Sequence, residues 1–278
     1  MTLSSDPSAR RPEGASDQRI AMAVEYDGSA YSGWQHQHHA STIQERLEQA
    51  IAAVADHPIR VHCAGRTDSG VHGLGQVVHF DTVAQRSKRS WLLGTNSKLP
   101  DDIAVRWVMP VAADFHARFS ATGRHYRYLI LCRPTRSALW RNRAVWTHRT
   151  LDVGPMREAA RALVGQHDFT SFRALACQAK SPVRTVRYLE IERSGDFIEL
   201  RVGADGFLHH MVRNLAGVLM AIGRGDAAVG WTRELLDQRD RALGGVTAPP
   251  HGLYLARVDY PQRFGLPFED DAALFSML

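Results

Sequence analysis

Residues 61 to 80 read VHCAGRTDSGVHGLGQVVHF. Both ends have the β-branched and aromatic content of strands. Between them stand Gly65, Gly70, Gly73 and Gly75, with Arg66, Thr67, Asp68 and His72 threaded among them. Asp followed by Ser-Gly is ordinary turn chemistry, and on that local pattern alone a turn residue is the simpler reading of Asp68. The density of glycine pulls the other way, because it lets a backbone come close to something. Arg66 precedes Asp68 by two residues, so in an extended segment both side chains point to one side. A charge-paired carboxylate on a loop beside a cleft can serve as a nucleophile or a base.

Outward from that loop the chain alternates between strand and helix patterns. RIAMAVEYDG, residues 19 to 28, reads as a strand that stops at Asp27-Gly28. STIQERLEQAIAAVA, residues 41 to 55, reads as a helix. Ser41 or Thr42 can cap it, with Gln44 or Glu45 three positions on, and Ile43, Leu47, Ala50, Ile51 and Val54 share a face. IRVHCAG and QVVHFDT flank the loop as strands, SKRSWLLGTNSKLP suggests a short helix, and IAVRWVMPV another strand ending at Val111. The second half repeats this composition. RHYRYLILC, VRTVRYLEIER, DFIELRVGA and LYLARVDY read as strands, and VGPMREAARALVG, FLHHMVRNLAGVLMAIG and WTRELLDQRD as helices. The expectation is an α+β fold of two similar mixed lobes, residues 19–111 with the Asp68 loop and residues 112–262, around a central cleft. Residues 1–18 and 263–278 are expected to be tails.

Composition narrows the function classes. The chain has 278 residues and 44% hydrophobic content, enough for a core of its own. Basic residues exceed acidic ones by 34 to 29, a net charge of +5, which hints at a polyanionic partner and is also an ordinary solubility charge. Cys63, Cys132 and Cys177 are scattered and form no CxxC pair, which argues against a disulfide framework or a cysteine zinc site. No segment approaches the length of a membrane span, and the N-terminus lacks the apolar core of a signal peptide, so a soluble cytoplasmic protein is expected. Gly73 to Gly75 lack a third glycine at dinucleotide spacing and precede a strand, and no Walker lysine pattern occurs. His36, His38 and His39 in HQHH have no carboxylate nearby to complete a metal site. No cofactor is expected.

Two further segments bear on Asp68. The helix expected from Phe207 to Ile222 is apolar nearly all round after its second turn, yet contains Arg213. A buried arginine needs a partner, for which Asp68 and another acid are both candidates, and a snorkelling side chain is the alternative. In RHYRY, Tyr126 and Tyr128 share one strand face while Arg124 and Arg127 fall on opposite faces. An aromatic among arginines can stack on a base, although a half-buried strand with a solvated basic side explains the segment equally.

Taken in order, VEYDGSAYSGWQHQ, CAGRTDSGVHGLGQVVHF, FHARFSATGRHYRYLI, DFTSF and FLHHMVRN closely resemble the motifs of TruA-type tRNA pseudouridine synthases, from about Arg19 to Tyr260. The resemblance implies a pseudouridine synthase fold with a largely antiparallel sheet. It implies a homodimeric, cofactor-free isomerase that converts uridine to pseudouridine at positions 38 to 40 of the tRNA anticodon arm. It makes Asp68 the catalytic aspartate, Tyr126 the tyrosine near the target base, Arg213 the arginine paired with the aspartate, and Arg66 a residue that helps hold the flipped nucleotide. Two other classes compete. A non-catalytic RNA-binding protein on the same scaffold needs the basic surface without an Asp68–Arg213 pair. A metal-dependent nuclease would use Asp68 with His72 and the HQHH cluster.

Overall fold

The computed structural model describes residues 18–267. The two expected tails therefore lie outside the described residues, apart from Gln18 and residues 263–267. Ten strands are present: β1 Gln18–Tyr26, β2 His62–Cys63, β3 His72–Thr82, β4 Ile103–Val111, β5 Gly123–Cys132, β6 Val145–Thr147, β7 Gly165–Asp168, β8 Val183–Ser194, β9 Phe197–Ala204 and β10 Leu253–Asp259. The five helices are α1 Ile43–Ala55, α2 Lys88–Asn96, α3 Val153–Arg161, α4 Met211–Gly223 and α5 Trp231–Gln238.

All strands join one sheet in the order β4-β1-β3-β10-β5-β9-β8-β7, with β2 on β3 and β6 on β5. Pairing is antiparallel except for β3 with β10 and β5 with β6. The fold is thus α+β with a largely antiparallel sheet, as the sequence leads one to expect. The β3–β10 contact is a short seam, with the pairs Tyr254↔His72 and Leu255↔Gly73. On one side of it, Ile20, Met22 and Val24 of β1 pack with Leu47, Ile51, Phe80 and Trp91 beneath α1 and α2. On the other side, α3, α4 and α5 cover β5, β8 and β9 through Met156, Met211, Leu215, Leu219 and Leu235. Period-2 alternation explains why β1 serves two layers: Ala21, on its opposite face, joins a third cluster with Val77, Phe115 and Phe264. Phe264 follows Pro261 on a short 3-10 turn and packs 5.1 Å from Phe115.

Local rules account for α1. Thr42 is its N-cap and accepts from the Glu45 amide, and Ile43, Leu47, Ala50 and Ile51 are buried as the periodicity requires. Three elements differ from their sequence patterns. In IRVHCAG only His62–Cys63 pairs as a strand. The amide of Val61 donates instead to the Glu48 carboxylate on α1, and Val61 itself packs in the core. β3 begins at His72 and continues through its glycines, with a register shift against β1 between Gly73 and Gln76. α4 begins at Met211 rather than Phe207, because His210 adopts φ 62°, a left-handed conformation that cannot continue a helix backward. Strands β6 and β7 are too short to carry a readable alternation.

Candidate active site

The segment from Ala64 to Val71 is fastened along its length. The Ala64 amide donates to Val77 O at 2.8 Å. Gln76, fully buried on β3, donates through Nε2 to Gly65 O at 2.6 Å and accepts from Gly65 N at 3.4 Å. Thr67 shares a 2.8 Å hydrogen bond with the Tyr26 hydroxyl, and its carbonyl accepts from Trp34 N at 3.0 Å. Ser69 donates to Tyr31 O, and Val71 N closes a turn on Asp68 O. The glycines serve this fastening more than they serve outward access. Gly70 has φ 75°, which favours glycine, and a Cβ on Gly73 or Gly75 would meet the Tyr26 ring or Ala256 O at 2.5 Å. Gly65 alone of the four faces Tyr126, whose hydroxyl would lie 3.9 Å from such a Cβ.

What this rigid loop offers is Asp68, with 24% of its side chain exposed and its carboxylate turned to the start of α4. Arg213 donates through Nη1 to Asp68 Oδ2 at 3.1 Å and through Nε to Ala248 O at 2.8 Å. The side chain of Arg213 is 14% exposed, so the partner that its apolar helix demands is Asp68. His209 Nε2 lies 3.4 Å from Oδ1 and His210 Nε2 lies 3.3 Å from Oδ2, their rings 4.0 Å apart. The left-handed backbone of His210 positions these rings, a conformation that costs on the order of 1 kcal/mol in a residue with a Cβ. Burial holds the His210 imidazole below its ordinary range, against the opposing pull of Asp68. Asp68, His209 and His210 also form the one group of donors, among the described residues, close enough to hold a metal ion. Arg213 already bonds the same carboxylate.

Tyr126 and Phe207 form the next wall, in a T-shaped contact with centroids 5.0 Å apart. Burial and then the Asp68 charge push the Tyr126 hydroxyl well above the phenol range, so it stays protonated. Burial also pushes the Cys63 thiol up to about 12, which makes it a poor nucleophile despite its place in the cleft. Arg66 is exposed at the rim and pairs with no described acid. The structure thus brings Arg66, Asp68, Tyr126 and Arg213 into one cleft. It directs His72 elsewhere: Nδ1 accepts from Gly28 N, and Nε2 lies 2.8 Å from Asn142 O. His36, His38 and His39 do not line the cleft. His209 and His210 escaped the sequence reading, because an unbroken helix pattern gives no sign of the left-handed residue that turns them toward Asp68.

The cleft encloses about 1180 Å³. Its lining contains six arginines (Arg60, Arg66, Arg118, Arg124, Arg184 and Arg213) and a single acid, Asp68. That balance suits a large anion that presents one reacting centre to one carboxylate.

A family model described as tRNA pseudouridine synthase matches residues 22–120 and 159–261. Arg66 and Asp68 lie in the first matched segment and Arg213 in the second, while Tyr126 falls between them. The tRNA pseudouridine synthase A of Methylococcus capsulatus is 56% identical over 248 residues, covering 89% of this chain and 92% of that protein. The protein of the same name from Nitrosococcus oceani is 57% identical over 249 residues, 90% of this chain and 96% of its own length. That from Pseudomonas aeruginosa is 53% identical over 262 residues, 94% and 92% of the two chains.

Proposed function

This chain belongs to the tRNA pseudouridine synthase family, and from that premise we propose that its cleft isomerises uridine to pseudouridine at positions 38 to 40 of the tRNA anticodon arm, with Asp68 as the reacting group. The observation that carries the assignment is the single carboxylate of the cleft, held by Arg213 and open to a substrate. A glycoside hydrolase ordinarily places a second carboxylate to handle water. An isomerase that keeps water out has no use for one.

The reaction breaks the C1′–N1 bond, turns the uracil and joins C5 to C1′. Asp68 begins it in one of two ways. It attacks C1′, forming an ester while the bonding pair leaves with N1, or it takes the C2′ proton, leaving a C1′=C2′ glycal. In either case the uracil leaves as an anion among arginines, which stabilise it without water. C5 then bonds to C1′, the carboxylate departs or the C2′ proton returns, C5 loses its proton and N1 gains one. Tyr126 packs against the base as a neutral phenol. Asp68, free once C5 and C1′ are joined, is the carboxylate at hand to accept the C5 proton.

The target uridine lies in a stacked arm and must be flipped out, at a few kcal/mol of unstacking. Arg66, exposed at the rim, fits the role of filling the gap or binding the displaced phosphate. Arg60, Arg118 and Arg184 hold the RNA by its phosphates, largely without reading sequence. The family resemblance further supports a cytoplasmic homodimer, whose mass light scattering at micromolar concentration measures.

Incubation with unmodified tRNA followed by mapping of pseudouridine tests the activity and the positions. Asp68→Asn tests the site. An amide neither attacks C1′ nor takes the C2′ proton, so tritium release from C5-labelled uridine stops while filter binding of tRNA persists. Asn serves in a turn as well as Asp, so substantial release by this variant would remove Asp68 from the chemistry.

A further inference from the structure

The motif FHARFSATG carries an aromatic that neither the fold nor the chemistry at Asp68 uses. Phe119 is 76% exposed, yet it lines the same cleft as Asp68. Leaving such a ring in water forgoes about 1.5–3 kcal/mol of burial. The turn that holds it is rigid. His116 Nδ1 accepts from the amides of Arg118 at 3.1 Å and Phe119 at 3.3 Å. His116 N donates to Ser120 Oγ, and Ser120 N returns a bond to His116 O, both at 2.9 Å. Arg124 Nη2 donates to Arg118 O at 2.7 Å and Ala64 O at 3.1 Å, which ties the turn to the entrance of the Asp68 loop. The His116 ring backs Phe119 at 4.4 Å, and the Arg118 guanidinium stands 5.6 Å from the Phe119 centroid.

An exposed aromatic on a fixed turn, flanked by the Arg118 guanidinium and lining the same cleft as Asp68, has the makeup of a base-stacking platform. We propose that Phe119, backed by His116 and flanked by Arg118, is a stacking subsite for an unpaired base of the RNA close to the uridine that enters at Asp68. This rests on the tRNA-modifying reading. Six arginines against one acid in the cleft favour a nucleobase over an apolar peptide as the occupant. Phe119 offers no hydrogen bond, so it holds any base, which suits an enzyme that must accept different sequences around its target.

The test compares wild type with Phe119→Ala and Phe119→Trp, using unmodified tRNA and the same tRNA with 2-aminopurine beside the target uridine. Phe119→Ala should raise Kd and KM by about 5- to 100-fold. It should leave kcat and the melting temperature unchanged and abolish the quenching of 2-aminopurine that wild type is expected to produce. Phe119→Trp should keep both affinity and quenching. Unchanged Kd in Phe119→Ala, Trp as poor as Ala, or a loss that follows melting temperature would each overturn the subsite. Absence of pseudouridine with wild-type protein would overturn the functional reading instead, since Kd and quenching judge the subsite without turnover.

Discussion

Replacing Arg213 with alanine removes two hydrogen bonds from a charged donor, Nη1 to Asp68 Oδ2 at 3.1 Å and Nε to Ala248 O at 2.8 Å. Bonds to charged groups contribute about 1.5–3 kcal/mol each, and breaking a fully buried pair costs about 3–5 kcal/mol. Asp68 is 24% exposed, so water and the neighbouring histidines recover part of that loss. A net destabilisation of about 2–3 kcal/mol is expected, equivalent to a melting temperature lower by about 4–10 °C for a chain of this size. Catalysis should suffer more than folding, because the carboxylate loses both its countercharge and its fixed direction. A misaligned reacting group costs about 100-fold or more in kcat. Arg213→Lys keeps the charge near Asp68 but cannot span Asp68 and Ala248 together, so it should fall between, about 1 kcal/mol less stable than wild type. Thermal unfolding, tritium release and filter binding on the three proteins are the measurements. An Arg213→Ala protein that keeps both its melting temperature and its turnover would refute the claim that α4 supplies the partner on which Asp68 depends.

Tyr126→Phe should fold normally, since the T-shaped contact with Phe207 survives, and any fall in kcat then measures the neutral hydroxyl alone; Tyr126→Ala should lose stability as well. Affinity for tRNA should fall with salt with a log–log slope of about −3 or steeper if Arg60, Arg66, Arg118 and Arg184 each neutralise a phosphate, and a flat response would place the binding surface elsewhere. Chelating agents should leave turnover intact, because Arg213 already supplies the countercharge of Asp68; loss of activity with EDTA, restored by a divalent ion, would favour the Asp68, His209 and His210 donors as a metal site. His79 should make stability depend on pH. Burial lowers its pKa to about 3, so the unfolded chain binds a proton that the folded one refuses, and stability present above about pH 6.5 is lost as pH falls toward 3, by roughly 3 kcal/mol at pH 4.5. His79→Gln can still accept from Ala117 N, and its melting temperature should fall less between pH 7 and 4.5 than that of wild type.

What the sequence determined by itself was whatever depends on neighbours along the chain. The cap and apolar face of α1 and the alternation of β1 and β5 follow from local periodicity and local hydrogen bonding. The cleft residues Arg66, Asp68, Tyr126 and Arg213 were legible because their motifs, in order, are specific, and because an arginine inside an apolar helix requires an acid somewhere. Tertiary structure decided which acid, through contact between residues 145 positions apart. It also decided that Val61 bonds to α1 instead of extending a strand, that Gly73 makes room for Tyr26, and that β3 meets β10 in parallel. His209 and His210 belong to the same class. One left-handed backbone, written in no propensity, carries both rings to Asp68. Sequence periodicity records which side of an element is apolar. Which distant group stands opposite is settled only when the chain closes on itself, because long-range packing and the demand that buried polar groups find partners act on the whole fold at once.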